Sequence, residues 1–181
     1  RSFFQGDGQK FRIKAQIGSR SSELVLGFEE PFLFERELNF GFNIFRERTD
    51  YTSAYYDQIN AGFEVYLRKR LIELVTGRLS YGLQNVEIFN VAPEIIDIIG
   101  TSDKTQISKV SLMLERDTRD SLLTPTRGSS LQGIFEVAGG PFGGDVDYYR
   151  LEGRVAQYFK LFEPQNQVLE VRTHLGVIQE F

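Results

Sequence analysis

Hydrophobic and polar residues alternate with a period of two along most of the chain, as in the run Arg150, Leu151, Glu152. Successive side chains of a β-strand point to opposite faces of the sheet, so such a run predicts a strand with one apolar and one polar face. The pattern predicts about nine strands, over residues 10–18, 23–29, 37–47, 58–68, 72–85, 107–116, 129–138, 148–161 and 168–179.

Most of these predicted strands are longer than the five to six residues that are usual in globular proteins. Long strands with one apolar and one charged face are typical of a transmembrane β-barrel with a water-filled lumen. The alternatives are a soluble barrel with its apolar face inside, or a β-sandwich that lacks its second sheet. An apolar face that continues across about nine strands exceeds what a soluble monomer exposes. We therefore predict an all-β fold, an antiparallel up-and-down transmembrane β-barrel.

Two sets of residues define the predicted faces. The apolar set is expected to face lipid and comprises Leu38, Phe40, Phe42, Ile59, Phe63, Val65, Leu151, Val155, Leu169 and Val171. The polar set is expected to line the lumen and to form ion pairs between strands; it comprises Arg12, Lys14, Glu64, Arg78, Arg150, Glu152, Arg154, Glu170, Arg172 and His174.

Composition narrows the possible functions. The chain has 181 residues, of which 41% are hydrophobic and 25% are charged. It contains no run of about 18 apolar residues, so we predict no membrane-spanning helix. The net charge of −4 and the scattered basic residues give no reason to expect nucleic acid. No cysteine is present, and His174 alone is a weak metal ligand. We expect no catalytic, metal or cofactor site and do not expect an enzyme.

Breaks in the alternation predict the connections. A short helix is expected after Pro93, within a loop over 89–104, because Pro is well suited to the first helical turn. The sequence begins at Arg1 and stops at Phe181 inside a predicted strand. We interpret residues 1–181 as a single β-barrel segment, a piece of a larger protein.

The most specific motif lies between the sixth and seventh predicted strands. Proline stops a ladder, glycine permits a positive φ, and the aspartates can accept local backbone N–H bonds. Two interpretations stay open: a stiff, self-bonded hairpin, or a surface that handles a client protein. The residues of the motif are Asp117, Arg119, Asp120, Pro125, Thr126 and Gly128.

This motif resembles the turn between two central strands in the bacterial surface antigen family of outer-membrane insertases. The segments 28–34 and 138–151 are also similar to that family. The resemblance implies a sixteen-stranded barrel of which this chain supplies the third to eleventh strands, with periplasmic repeats and the remaining strands outside it. The family's lumen-loop motif, Arg-Gly-Phe, is not matched by Arg127, Gly128 and Ser129.

The resemblance further implies a function in the bacterial outer membrane, namely folding and inserting β-barrel proteins without a cofactor. The implied partners are outer-membrane lipids, unfolded client proteins and accessory assembly lipoproteins. The alternatives are the translocation pore of a two-partner secretion system, a passive porin, or a sibling that carries an appended enzyme.

Strand order also predicts the two ends of the sheet. The turn 117–128 should share an end with 30–35, 69–71 and 163–166, whereas 49–57, 89–104 and 139–145 should lie at the opposite end. By the resemblance, the first group is periplasmic and the second is extracellular.

Overall fold

The computed structural model describes residues 8–50, 56–95, 103–162 and 167–181. Its strands form a single sheet in chain order, each antiparallel to the next, which confirms the predicted all-β meander. The strands are β1 (Lys10–Ile17), β2 (Ser21–Glu30), β3 (Leu38–Asp50), β4 (Asp57–Ile72), β5 (Val75–Phe89), β6 (Asp103–Asp117), β7 (Gly128–Ala138), β8 (Tyr148–Phe162) and β9 (Gln167–Glu180). Short 3₁₀ turns occupy Leu33–Glu35, Pro93–Ile95 and Gly140–Phe142.

Eight of the nine strands are longer than the alternation predicted, whereas β1 is one residue shorter. The fourth strand continues to Ile72 and reverses at Glu73 and Leu74, so the predicted turn at 69–71 was placed too early. A shift of register between Arg70 and Ile72 marks a bulge at this end of the strand. The helix predicted after Pro93 is a 3₁₀ turn within the described residues, and 51–55, 96–102 and 163–166 lie outside them.

The register of the ladders gives the sheet two chemically distinct faces, because residues paired across an antiparallel ladder share a face. One row of partners runs from Arg12 through Gly27, Asn43 and Glu64 to Gly82. We call the face that carries this row the polar face. The row of Leu26, Ile44 and Phe63 lies on the opposite side, which we call the apolar face.

Burial is inverted relative to a water-soluble domain. Among the described residues, the only hydrophobic side chains that are buried are Ala138 and Tyr158, whereas Ser108, Glu136 and Glu152 are buried although they are polar. Large aliphatic and aromatic side chains are instead exposed. Soluble proteins show the reverse order, with Glu almost never fully buried unless it is paired. No helix among the described residues is long and apolar enough to cross a bilayer.

The connection after β7 folds back onto β6. The β6 strand extends beyond the end of β7, and the loop supplies partners for its free edge: the Gly139 N–H donates to the Ser108 carbonyl and the Asp145 N–H to the Gln106 carbonyl. The Gln106 N–H in turn donates to the Asp145 carboxylate over 2.6 Å. Exposed strand edges are templates for other chains, so this loop blocks one of them.

Candidate functional site: the polar face and its hairpin

The structure places the two sets of candidate residues on opposite faces of the sheet. The ten polar residues, from Arg12 on β1 to His174 on β9, lie on the polar face, and the ten apolar residues lie on the apolar face. Seven of the ten polar residues take part in two groups of contacts, one on β1–β5 and one on β6–β9. Lys14 instead pairs with Glu23 on β2, and Arg172 pairs with Glu170 on its own strand.

The first group joins four strands through Glu64. Arg78 on β5 donates to the Glu64 carboxylate over 2.8 Å, and Asn43 on β3 donates to the same oxygen over 3.4 Å. Arg12 on β1 donates to the Asn43 side-chain oxygen over 3.2 Å. A Cβ atom at Gly27 would lie 2.8 Å from that oxygen, so the small residue makes room for this chain of contacts.

An aromatic ring closes the other side of the first group. The Tyr66 ring lies over Gly41. A Cβ atom at Gly41 would come within 2.6 Å of the Cε1, Cζ and Oη atoms of Tyr66. Its hydroxyl donates to Glu29 over 3.1 Å, and the Arg78 guanidinium sits 4.1 Å from the ring centroid. A ring that covers a glycine of the neighbouring strand protects the backbone and helps to fix register. Arg78 is therefore held by both a carboxylate and an aromatic face.

The second group centres on Glu136 of β7, whose side chain is only 4% exposed. Lys109 on β6 and Arg150 on β8 each approach one of its carboxylate oxygens at 3.3 Å, and the Tyr148 hydroxyl donates to the other over 2.9 Å. Burying a carboxylate is costly unless cations and donors compensate for lost water. Here three side chains from two neighbouring strands do so.

We expect Glu136→Gln to destabilise the folded protein by about 2 kcal/mol, because it leaves Lys109 and Arg150 together without their shared anion. The matched control is Glu23→Gln, which breaks a partly exposed pair with Lys14 on the polar face and should cost less than about 1 kcal/mol. Urea unfolding of the full-length protein, with heat-modifiable gel mobility as the readout, measures the loss of stability in both variants. Equal losses for the two variants would contradict the prediction.

Glu152 extends the second group across β8 and β9. Its carboxylate pairs with Arg154 at 2.5 Å and with His174 Nε2 at 2.8 Å, and Arg150 approaches it at 3.8 Å. Its side chain is 7% exposed, whereas those of Arg154 and His174 are more than half exposed. The Arg154 and His174 side chains thus project into open space and Glu152 lies beneath them, an arrangement suited to a wetted surface.

The hairpin from Asp117 to Gly128 bonds mainly to itself at its base. Arg119 donates from Nε and Nη2 to the Asp117 carboxylate, which raises the pKa of the guanidinium above its ordinary value. Arg119 also interacts with Tyr158 on the polar face of β8. The Thr118 hydroxyl accepts the Ser129 N–H over 2.9 Å. These contacts fix the start of the hairpin against the sheet.

Asp120 organises the far side of the same hairpin. Its carboxylate accepts the Thr126 hydroxyl over 2.5 Å and the backbone N–H groups of Thr126 and Arg127 over 2.9 and 3.2 Å. Hydrogen bonds to the charged form favour that form. The Thr126 hydroxyl and these N–H groups lower the pKa of Asp120 to about 2.

This arrangement predicts a pH response. In the folded protein the pKa of Asp120 is lowered from 3.8 to about 2. The stabilisation that the charged carboxylate gives to the folded state is therefore complete above pH 3.8 and is lost as the pH falls through 2. The Thr126→Val variant removes the hydrogen bond from the Thr126 hydroxyl and should move the midpoint back towards 3.8. The ¹³C resonance of the Asp120 carboxyl group reports the midpoint. A peptide of residues 114–131 is the control, and the same midpoint in peptide and protein would contradict the prediction.

Comparison with known proteins identifies the family. Residues 4–181 match the model of the Omp85 superfamily domain. The chain belongs to the Omp85 superfamily. It is 26% identical over 179 residues to the outer membrane protein assembly factor BamA of Nitratidesulfovibrio vulgaris, a match that covers 97% of this chain and 22% of that protein. The chain thus spans about a fifth of that relative's length.

The fold is that of a solved Omp85 barrel. The sheet superimposes on the crystal structure of BamA from Haemophilus ducreyi lacking POTRA domains 1–3, with a TM-score of 0.83 and 18% sequence identity. The match covers 96% of this chain and 36% of the other. The resemblance to the outer-membrane insertases is confirmed, and this Omp85 chain is part of an outer-membrane β-barrel of a bacterium.

Six residues of the polar groups were absent from the predicted set: Glu29, Asn43, Tyr66, Lys109, Glu136 and Tyr148. Lys109 alternates with Val110, and Glu136 with Val137, so the period-two pattern carried a signal for both. Their importance depends on contacts between strands, which a pattern within one strand does not contain.

Proposed function

We propose that this Omp85 segment forms part of the barrel wall of an outer-membrane protein assembly factor, which folds and inserts β-barrel proteins. The apolar face contacts lipid and the polar face lines the lumen. The observation that carries the proposal is the inverted burial, in which Glu136 and Glu152 are covered while the aliphatic side chains opposite them are exposed. Lipid is the natural cover for such a surface.

The role within the assembly factor is that of a supporting wall. Strands β2 to β8 are paired on both sides, so they offer no free edge on which a client strand could be templated. The two polar groups connect strands across this wall and resist its distortion. We assign the described residues no catalytic step and no metal or cofactor.

The proposed partners are outer-membrane lipids, unfolded barrel clients and accessory assembly lipoproteins. The relative's name, an outer membrane protein assembly factor, supports clients and accessory factors in general terms. The hairpin 117–128 and the turns at 31–37 and 73–74 lie at one end of the sheet, and we assign that end to the periplasm. The opposite end is then extracellular.

Cysteine labelling of the full-length protein in intact outer membranes tests the assignment of faces. Single cysteines at Arg154 and Arg172 should react with a small water-soluble reagent, whereas cysteines at Val155 and Val171 should be protected. In each pair the two residues are adjacent along one strand, Arg154 and Val155 on β8 and Val171 and Arg172 on β9. The two members therefore lie on opposite faces at almost the same depth in the membrane. The reverse labelling pattern would overturn the assignment.

A reconstitution experiment separates an assembly factor from a pore. The full-length protein in proteoliposomes, with its accessory lipoproteins, should convert a urea-unfolded barrel client to its heat-resistant form faster than empty liposomes do. Ion conductance without accelerated client folding would instead favour the translocation pore or porin. The comparisons with BamA proteins favour the first outcome.

A further inference from the structure

A shallow groove crosses the apolar face where β6, β7, β8 and β9 lie side by side. Its volume is about 620 Å³, and its walls are almost wholly apolar. Gly133 and Gly153, which pair directly across β7 and β8, form its floor. A Cβ atom at either glycine would meet nothing within 4 Å, so the space above them is open. The aliphatic walls comprise Val75, Leu114, Leu131, Leu151, Leu175 and Val177.

A cation stands at one end of this groove. Arg116 contributes to the lining, is exposed, and lies on the apolar face opposite Val75 and Leu131. It is the penultimate residue of β6, next to the hairpin at one end of the sheet. Within the described part of the chain, the Arg116 side chain makes no hydrogen bond or ion pair.

We propose that the groove is a binding site for an anionic phospholipid, with an acyl chain over Gly133 and Gly153 and the phosphate at Arg116. The inference rests on the assignment of the apolar face to lipid. An arginine near a membrane surface extends its guanidinium to the headgroups while its aliphatic stem stays in the hydrocarbon region.

The chemistry of the groove favours a lipid over a protein segment. A peptide in this position would need partners for its own backbone N–H and C=O groups, and an almost wholly apolar wall offers few. An acyl chain has no such requirement and fills the space left by two missing side chains. Arg116 supplies charge complementarity for the phosphate, and it lies at the sheet end that we assign to the periplasm, so the lipid belongs to that leaflet.

Photo-crosslinking of the full-length protein tests the site. A benzoylphenylalanine in place of Leu175, which lies opposite Gly153, reports the lipid in the groove in vesicles of equimolar phosphatidylglycerol and phosphatidylcholine. Mass spectrometry of the adducts should show about a fivefold excess of phosphatidylglycerol, the effect of one basic residue near the surface. Arg116→Gln should return the ratio to about one, whereas Arg116→Lys should keep most of the excess. Gly153→Leu fills the groove and should lower the total yield of adducts.

Two controls make the outcomes decisive, and heat-modifiable mobility confirms that each variant is folded. Lys69→Gln removes a cation from the same end of the apolar face, outside the groove, and should leave the ratio unchanged. An equal loss in Lys69→Gln and Arg116→Gln would overturn the site in favour of a general surface charge. A crosslinker at Phe42 should give lipid adducts with a ratio near one. Adducts at Phe42 without an excess at Leu175 would overturn the groove alone; adducts at neither would overturn the lipid-facing assignment as well.

Discussion

Replacing Gly128 with alanine is expected to destabilise the folded protein by about 2–4 kcal/mol. Gly128 has a φ of +99°, which an L-residue with a side chain adopts only under strain. An added Cβ atom would lie 2.2 Å from the Thr118 carbonyl oxygen and 2.9 Å from the Arg119 Cα atom. Both contacts are with backbone, so a side-chain rotation cannot relieve them. The hairpin would have to separate from the start of β7.

The matched control for Gly128→Ala is Gly133→Ala on the same strand. A Cβ atom at Gly133 meets nothing within 4 Å, and the substitution should change the free energy of unfolding by less than about 1 kcal/mol. Urea unfolding of the full-length protein in lipid bilayers measures both. If the two variants lose equal stability, the loss comes from the strand rather than from the hairpin geometry.

Replacing Val155 with arginine should cost about 2–4 kcal/mol, the range for a cation placed on the lipid face near the middle of a membrane barrel. Val155 is the central residue of β8, and it lies on the apolar face between Leu131 and Thr173. The cost arises because the guanidinium leaves water for the lipid face, where its ladder neighbours Leu131 and Thr173 offer it no carboxylate.

The control for Val155→Arg is Ala156→Arg, one position further along β8 and on the polar face. Its neighbour across β9 is Arg172, so some repulsion is expected, but water screens it and the cost should stay below about 1 kcal/mol. The free energies of unfolding in bilayers compare the two variants directly. A larger loss for Ala156→Arg than for Val155→Arg would reverse the two faces of the sheet.

The strands and their faces were predictable because alternation is a property of each strand by itself. The alternation of Arg150, Leu151 and Glu152 indicates which face each side chain occupies, whichever strand lies beside them. The end of β4 was less predictable. Lys69, Arg70 and Leu71 break the alternation, and the sequence does not show that the ladder continues through a bulge to Ile72 before the chain reverses.

The hairpin was predictable in kind and not in detail. Proline, glycine and two aspartates within 12 positions favour a self-bonded turn in any context. That Asp120 accepts the hydroxyl and N–H of Thr126, whereas Asp117 binds Arg119, follows only from the folded path of the loop. Both aspartates carry the same chemistry, and the sequence gives no reason to divide their roles in this way.

The antiparallel meander and its apolar and polar faces could be predicted from residue order, since they follow from local chain geometry. Which side chains meet depends on how the strands are paired in the folded sheet. Glu136 is buried because the register brings Lys109 and Arg150 to it from two different strands, and Tyr66 covers Gly41 for the same reason. The groove above Gly133 and Gly153 likewise exists because these two glycines pair across β7 and β8. Register is a relation between strands, and the period-two pattern of any single strand is compatible with several registers.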